Sequence, residues 1–214
     1  MSFYRACWIF ARGLCAFLFR LKVEGGTHVP VTGGLILACN HASYADPVFI
    51  GVATGRELFY LTKREVFPVP VLGWLIHKLN ALPIDRSRGD RRALTTVEKR
   101  LKGGGAMFLS PEGTRNKTGK LLSPKAGVGM LAYRASVPIV PVCILGTANI
   151  WGSLIGLSRV VVRFGHPIRI DQGQYNGSRK EAYQAISNEV MHQIQELNQA
   201  HRQAGSVVPE SATK

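Results

Sequence analysis

Paired cysteines are missing from this sequence. Cys7, Cys15, Cys39 and Cys143 are scattered and none makes a C-x-x-C pair, which disfavours both a zinc site and a disulfide framework. Cys39 and Cys143 lie inside apolar runs and read as buried free thiols in a reducing compartment. No cluster of His, Cys, Asp or Glu has metal-ligand spacing, so neither a metal nor another resident cofactor is expected. A G-x-S-x-G elbow is absent too, so Ser43 and Ser110 read as structural residues and not as nucleophiles. There is no internal repeat and no interdomain linker, and 214 residues suit one domain with a substantial core. Acidic residues are scarce. The 13 Asp and Glu against 27 Lys and Arg leave a net charge of +14, which calls for an anionic partner. Nucleic acid fits poorly, because no aromatic-interleaved basic stripe or helix-turn-helix pattern is present.

Uninterrupted apolar length is also lacking where it would matter most. Residues Phe3 to Leu21 are rich in Phe, but Arg5, Arg12 and Arg20 break the run too often for a spanning helix. Arg12 and the lack of a small-residue cleavage site also argue against a signal peptide. At 100° per residue, Phe3, Phe10, Leu14, Phe17 and Leu21 share one sector and the three arginines gather opposite. The reading is an amphipathic helix over residues 1–22 lying in the interface of an anionic membrane. A helix docked on the protein's own core is the alternative.

What is present starts with a short apolar run, Leu35 to Cys39, followed by Asn40-His41-Ala42-Ser43-Tyr44-Ala45-Asp46-Pro47. His41 and Asp46 would point about 140° apart on one regular helix. Pro47 allows another geometry, because it disfavours α conformation at Asp46 and suits the first turn of a helix. Asp46 is then expected as the N-cap, with residues 41–45 a turn folding back onto it. A carboxylate beside an imidazole fixes its tautomer and leaves the other ring nitrogen as a general base. The plain alternative is an aspartate that only caps a helix.

Further along, strands are expected at Glu57 to Leu61, Ala81 to Ile84, Ala106 to Leu109, Val160 to Phe164 and Ile168 to Ile170. Val137 to Leu145 reads as an edge or bulged strand because of Pro138 and Pro141. Helices are expected at Pro47 to Ala53, Phe67 to Leu79, Arg88 to Lys102, Lys125 to Ala135 and Ser178 to Arg202, with an apolar loop at Ile150 to Leu157. Gly127 and Gly129 are expected to permit close packing. Ser178 and Glu181 form a capping box, and Tyr183, Ile186, Val190, Ile194 and Leu197 line one face of the last helix. The alternation predicts a single α/β domain over residues 23–204, with a mixed, mostly parallel sheet flanked by helices, and a disordered tail at 205–214.

Polar residues follow three of the short strands: His41 with Asp46, then Arg86, then Glu112 to Arg115. Ligand sites in α/β sheets favour these carboxyl ends. Gly113 frees the backbone for close approach, Thr114 offers a hydroxyl, and Arg115 a planar fork for phosphate. Glu112 could fix the arginine or accept from a substrate hydroxyl. Arg86 and Lys125 are further anion-binding candidates. Taken singly, each charge could equally be a solvated surface residue.

In order and spacing, these segments resemble the glycerolipid acyltransferases, the family of bacterial 1-acylglycerol-3-phosphate acyltransferases. Asn40 to Pro47 resembles the family's His-x4-Asp motif, Ile84-Asp85-Arg86 its second, Pro111 to Arg115 its third and Val137 to Val142 its fourth. Ser110 stands where the family usually has Phe. The resemblance implies acyl transfer from acyl-CoA or acyl-acyl carrier protein to the hydroxyl of a lysophospholipid acceptor. His41 would be the base and Asp46 its partner. Arg86, Glu112, Gly113, Thr114 and Arg115 would meet the glycerol phosphate, with Lys125 a weaker addition from the residues themselves. The protein is then expected on the cytoplasmic face of the inner membrane. Rival acceptors are glycerol 3-phosphate, a lyso-ornithine lipid or another lysophospholipid. A non-catalytic basic module binding membrane or nucleic acid is the rival of a different class.

Overall fold

The protein is described by a computed structural model covering residues 2–85, 89–116, 118, 120–155, 158–175 and 177–206, with backbone only for 201–206. Seven strands make one sheet: β1 (Lys22–Glu24), β2 (Leu35–Cys39), β3 (Leu58–Lys63), β4 (Ala81–Ile84), β5 (Ala106–Leu109), β6 (Ile139–Leu145) and β7 (Val161–Phe164), in the order β1-β7-β6-β2-β5-β3-β4. Strands β2 to β6 are mutually parallel. β7 runs antiparallel to β6, and β1 pairs parallel with β7. The carboxyl ends of β2, β5 and β6 therefore lie side by side. Every residue of β2 is fully buried, as a continuous apolar run between two neighbours requires.

Helices cover both faces: α1 (Phe3–Phe19), α2 (Asp46–Thr54), α3 (Leu72–Lys78), α4 (Arg91–Lys102), α5 (Gly127–Ala135), α6 (Ile150–Leu154) and α7 (Arg179–Ser206). Leu35, Leu37 and Cys39 pack under α1 and α2, whereas Ile36 and Ala38 pack under α4, α5 and α7. The capping box of α7 forms, with Ser178 N–H donating to Glu181 Oε2 at 2.8 Å and Glu181 N–H to Ser178 Oγ at 3.3 Å. Gly129 is a true close approach, since a Cβ there would meet Tyr183 O at 2.0 Å. Gly127 faces open space and is not one.

Helix α1 docks on the core through a second stripe, Tyr4, Trp8, Ala11, Cys15 and Phe19, and leaves the Phe stripe outside it, with Phe10 and Phe17 73% and 84% exposed. The reason is hydrogen bonding. Tyr4 Oη accepts from Leu58 N–H at 2.9 Å and Trp8 Nε1–H donates to Gly51 O at 3.0 Å, partners a Phe stripe has no use for. Strand β6 is central, not an edge. Its ladder with β7 ends at Val142↔Phe164, and the next bridge is Ile139↔Ile168, so Pro141 sits in the gap where a missing N–H costs no ladder bond. The stretch Ile150 to Leu154 is a short helix capped by Asn149, whose Oδ1 accepts from Gly152 N–H at 3.0 Å. The proline-rich start of the helix expected at Phe67 to Leu79 stays outside α3, which begins at Leu72, and β1 and the Asp90 cap of α4 were not anticipated. Helix α7 continues to Ser206, past the expected tail boundary, and residues 207–214 lie outside the described residues. Among the described residues no helix is long and apolar enough to cross a membrane.

Candidate active site

Strand β2 ends in Asn40, whose side chain forms two hydrogen bonds with one backbone unit. Nδ2–H donates to Ile144 O at 2.9 Å, and Oδ1 accepts from Ile144 N–H at 2.8 Å. The amide thus completes the parallel ladder between β2 and β6 where the β2 backbone leaves the sheet. His41 follows directly, its ring edge-on to Phe108 with centroids 5.9 Å apart. His41 Nδ1 lies 2.7 Å from Asp46 Oδ2.

The same Asp46 oxygen accepts from Ala42 N–H at 2.7 Å and Ser43 N–H at 2.8 Å. Asp46 is fully buried. It is the first residue of α2, not its N-cap; Ala45 takes that position without a side-chain bond. The carboxylate turns back to hold the 41–45 turn because three donors converge there, a better arrangement for a buried charge than one helix amide. With a carboxylate accepting at Nδ1–H, the lone pair sits on Nε2, where a general base needs it.

Glu112 is placed differently from expectation. It is 3% exposed, and its oxygens accept from His41 N–H at 3.4 Å and Leu122 N–H at 3.1 Å. Burial pushes its carboxyl above the ordinary range, against the pull of the Leu122 and His41 amides. Glu112 therefore braces the backbone and neither fixes Arg115 nor opens to a substrate hydroxyl. Gly113 has φ +68°, and a Cβ there would stand 3.0 Å from Lys125 Cδ and 3.4 Å from its Nζ. The close approach that Gly113 permits is thus filled by the Lys125 side chain, which brings an ammonium beside the motif. Thr114 is exposed. Arg115 Cζ lies 3.3 Å from the Tyr44 ring centroid, and its Nη2–H donates to Tyr44 Oη at 2.6 Å. Arg86 lies outside the described residues.

Three buried side-chain oxygens have no hydrogen-bond partner among the described residues: Asp46 Oδ1, Ser110 Oγ and Thr147 Oγ1. They belong to segments leaving the carboxyl ends of β2, β5 and β6. Orphan polar atoms are rare in folded proteins and gather where function overrides packing. A cavity of about 400 Å³ lies at the same end, lined by residues 42–45, Arg115 and residues 147–151. Sequence reasoning missed Asn40, Tyr44 and Thr147 as parts of this site. A polar amide ending a fully apolar strand was the available signal for Asn40; no comparable signal marks Thr147.

An imidazole held by a buried carboxylate, with an arginine and a lysine on the neighbouring connection after β5, is an arrangement able to act as a general base beside an anionic substrate. The family model described as Acyltransferase matches residues 20–145, and the chain belongs to this acyltransferase family. A 1-acyl-sn-glycerol-3-phosphate acyltransferase of Streptococcus pneumoniae is 27% identical over 208 residues, covering 93% of this chain and 76% of that one. The chloroplastic 1-acyl-sn-glycerol-3-phosphate acyltransferase LPAT1 of Arabidopsis thaliana is 30% identical over 137 residues, 62% of this chain but only 38% of its own length. The crystal structure of the 1-acyl-sn-glycerophosphate acyltransferase PlsC of Thermotoga maritima matches with a TM-score of 0.72 and 27% identity, covering 91% of this chain and 79% of that one.

Proposed function

We propose that this protein transfers a fatty acyl group from acyl-CoA or acyl-acyl carrier protein to the sn-2 hydroxyl of 1-acyl-sn-glycerol 3-phosphate, giving phosphatidic acid. The observation that carries the reading is the 2.7 Å approach of His41 Nδ1 to Asp46 Oδ2 at the strand ends that also bear Arg115 and Lys125. His41 Nε2 takes the proton of the acceptor hydroxyl as its oxygen attacks the thioester carbonyl carbon. The tetrahedral adduct collapses, the C–S bond breaks, and the imidazolium returns the proton to the departing thiolate. Asp46 stabilises the imidazolium between these steps. A base of this kind contributes about 10² to 10⁴ in rate. Arg115 and Lys125 hold the acceptor phosphate, with Thr114 at its edge.

The acceptor is a membrane lipid, and we assign its delivery to the outer stripe of α1. Phe3, Phe10, Leu14 and Phe17 are exposed there, and Arg5 and Arg12 are exposed on the opposite side of the same helix. Phe3 meets Trp74 edge-on at 5.2 Å, which extends the apolar surface to Val71 and Leu72 before and within α3. An anionic membrane surface, the cytoplasmic face of the inner membrane, suits this combination of aromatic and cationic groups. Replacing Phe10 and Phe17 together by Ser is expected to weaken binding to anionic vesicles at least tenfold while leaving the thermal midpoint unchanged, because burying one Phe is worth roughly 1.5–3 kcal/mol. Unchanged vesicle binding would exclude α1 as the contact.

The direct test of the reaction is product analysis by mass spectrometry with purified protein, both donor types, and a panel of acceptors. Phosphatidic acid from 1-acyl-sn-glycerol 3-phosphate is expected. Product only from a lyso-ornithine lipid, glycerol 3-phosphate or another lysolipid would overturn the substrate assignment.

A further inference from the structure

Tyr44 is 80% exposed, although it lies inside the catalytic turn between His41 and Asp46. A large aromatic so exposed is not there to fill the core. Its ring is instead covered by Arg115, whose Cζ lies 3.3 Å from the ring centroid and whose Nη2–H donates to Tyr44 Oη. No carboxylate pairs with Arg115 among the described residues. Both residues line the cavity of about 400 Å³ that Thr147, Ile150 and Trp151 close on the other side.

An acidic partner would hold Arg115 more strongly, but it would also neutralise the charge that an anionic ligand must meet. An aromatic face restrains a guanidinium and leaves its charge in place. Of the five N–H donors of Arg115, one is engaged by Tyr44 Oη, so a planar fork stays open for two phosphate oxygens. Because Tyr44 belongs to the turn that Asp46 ties to His41, the platform also sets where that fork stands relative to the base.

We infer that Tyr44 is the positioning residue that aims Arg115 at the acceptor phosphate and so fixes the spacing between phosphate and attacking hydroxyl. The inference rests on the reaction proposed above. It makes Tyr44 a determinant of preference for acceptors bearing a phosphate next to the reacting carbon.

The test uses the full chain with Tyr44→Ala, Tyr44→Phe and Tyr44→Trp. Two acceptors are compared, 1-acyl-sn-glycerol 3-phosphate and the matching monoacylglycerol without phosphate. Binding of sn-glycerol 3-phosphate is measured separately by calorimetry. For Tyr44→Ala, the ratio of kcat/KM between the two acceptors is expected to fall about tenfold, chiefly through KM for the phosphate-bearing acceptor, as loss of a guanidinium–aromatic stack implies. Glycerol 3-phosphate binding should weaken by a similar factor, and Tyr44→Phe and Tyr44→Trp should restore most of both. Equal losses on both acceptors, or unchanged glycerol 3-phosphate binding, overturn the inference. If wild type binds glycerol 3-phosphate through Tyr44 yet makes no phosphatidic acid, the proposed reaction falls and the phosphate cradle stands. If wild type makes phosphatidic acid with Tyr44 indifferent, the reverse holds.

Discussion

Asp46 and Glu112 are both buried, 0% and 3% exposed, and both touch His41, but one holds its ring and the other its backbone amide. Asp46 gathers three donors on one oxygen, all from its own turn. Glu112 gathers two backbone amides from segments 71 and 10 residues away in sequence. The first arrangement fixes the ring and, in the proposed reaction, balances the charge it acquires. The second ties two parts of the connection after β5 to the turn after β2. Thr147 completes the series, since its buried hydroxyl has no hydrogen-bond partner among the described residues. Buried polar groups around His41 thus differ in their partners, which separate the ring's support from the backbone's and leave the Thr147 hydroxyl open to a ligand.

This ordering can be broken at each level. Asp46→Asn should lower kcat about 10³- to 10⁴-fold, because the imidazole loses its tautomer partner, as in other histidine–aspartate pairs. A loss under about tenfold would remove Asp46 from the mechanism. Glu112→Ala should cost about 1–3 kcal/mol of stability by denaturant titration, since it strands two buried amides. Its kcat should fall far less than in Asp46→Asn; an equal fall would make the two carboxylates equivalent.

The pH dependence separates them further. Glu112 has its folded carboxyl above the ordinary 4.5, first through burial and despite the Leu122 and His41 amides. Stability from a raised carboxyl is present at low pH and lost as pH rises through the folded value. The stability of wild type relative to Glu112→Gln should therefore grow as pH falls from neutral toward the ordinary glutamate range. A constant difference would mean Glu112 does not titrate there. Thr147→Val, the smallest change, should move stability by less than about 0.5 kcal/mol or raise it, because its hydroxyl has no hydrogen-bond partner among the described residues. A larger loss by thermal unfolding would reveal an internal partner.

Much of the architecture was legible because it rests on local pattern. The buried run of β2, the alternation of strands and helices and the capping box of α7 follow from periodicity and side-chain chemistry near in sequence. The interior face of α7 was read correctly at Ile186, Val190 and Ile194. For α1 hydrophobicity marked the Phe-rich stripe but not the second apolar stripe, about 120° away, that packs on the core. What decided it was long-range: Tyr4 and Trp8 find backbone partners at Leu58 and Gly51. The same holds in the site. His41 and Asp46 sit five positions apart, and the turn joining them could be inferred from Pro47. The bracing role of Glu112, the filling of the Gly113 approach by Lys125 and the stack of Arg115 on Tyr44 each join segments that only the folded sheet brings together.

The most direct measurement is phosphatidic acid formation by His41→Ala, followed by mass spectrometry beside wild type under matched vesicle loading. The account predicts abundant product from wild type and none above the protein-free control from the variant, with equal vesicle binding. Turnover by His41→Ala within tenfold of wild type would contradict it.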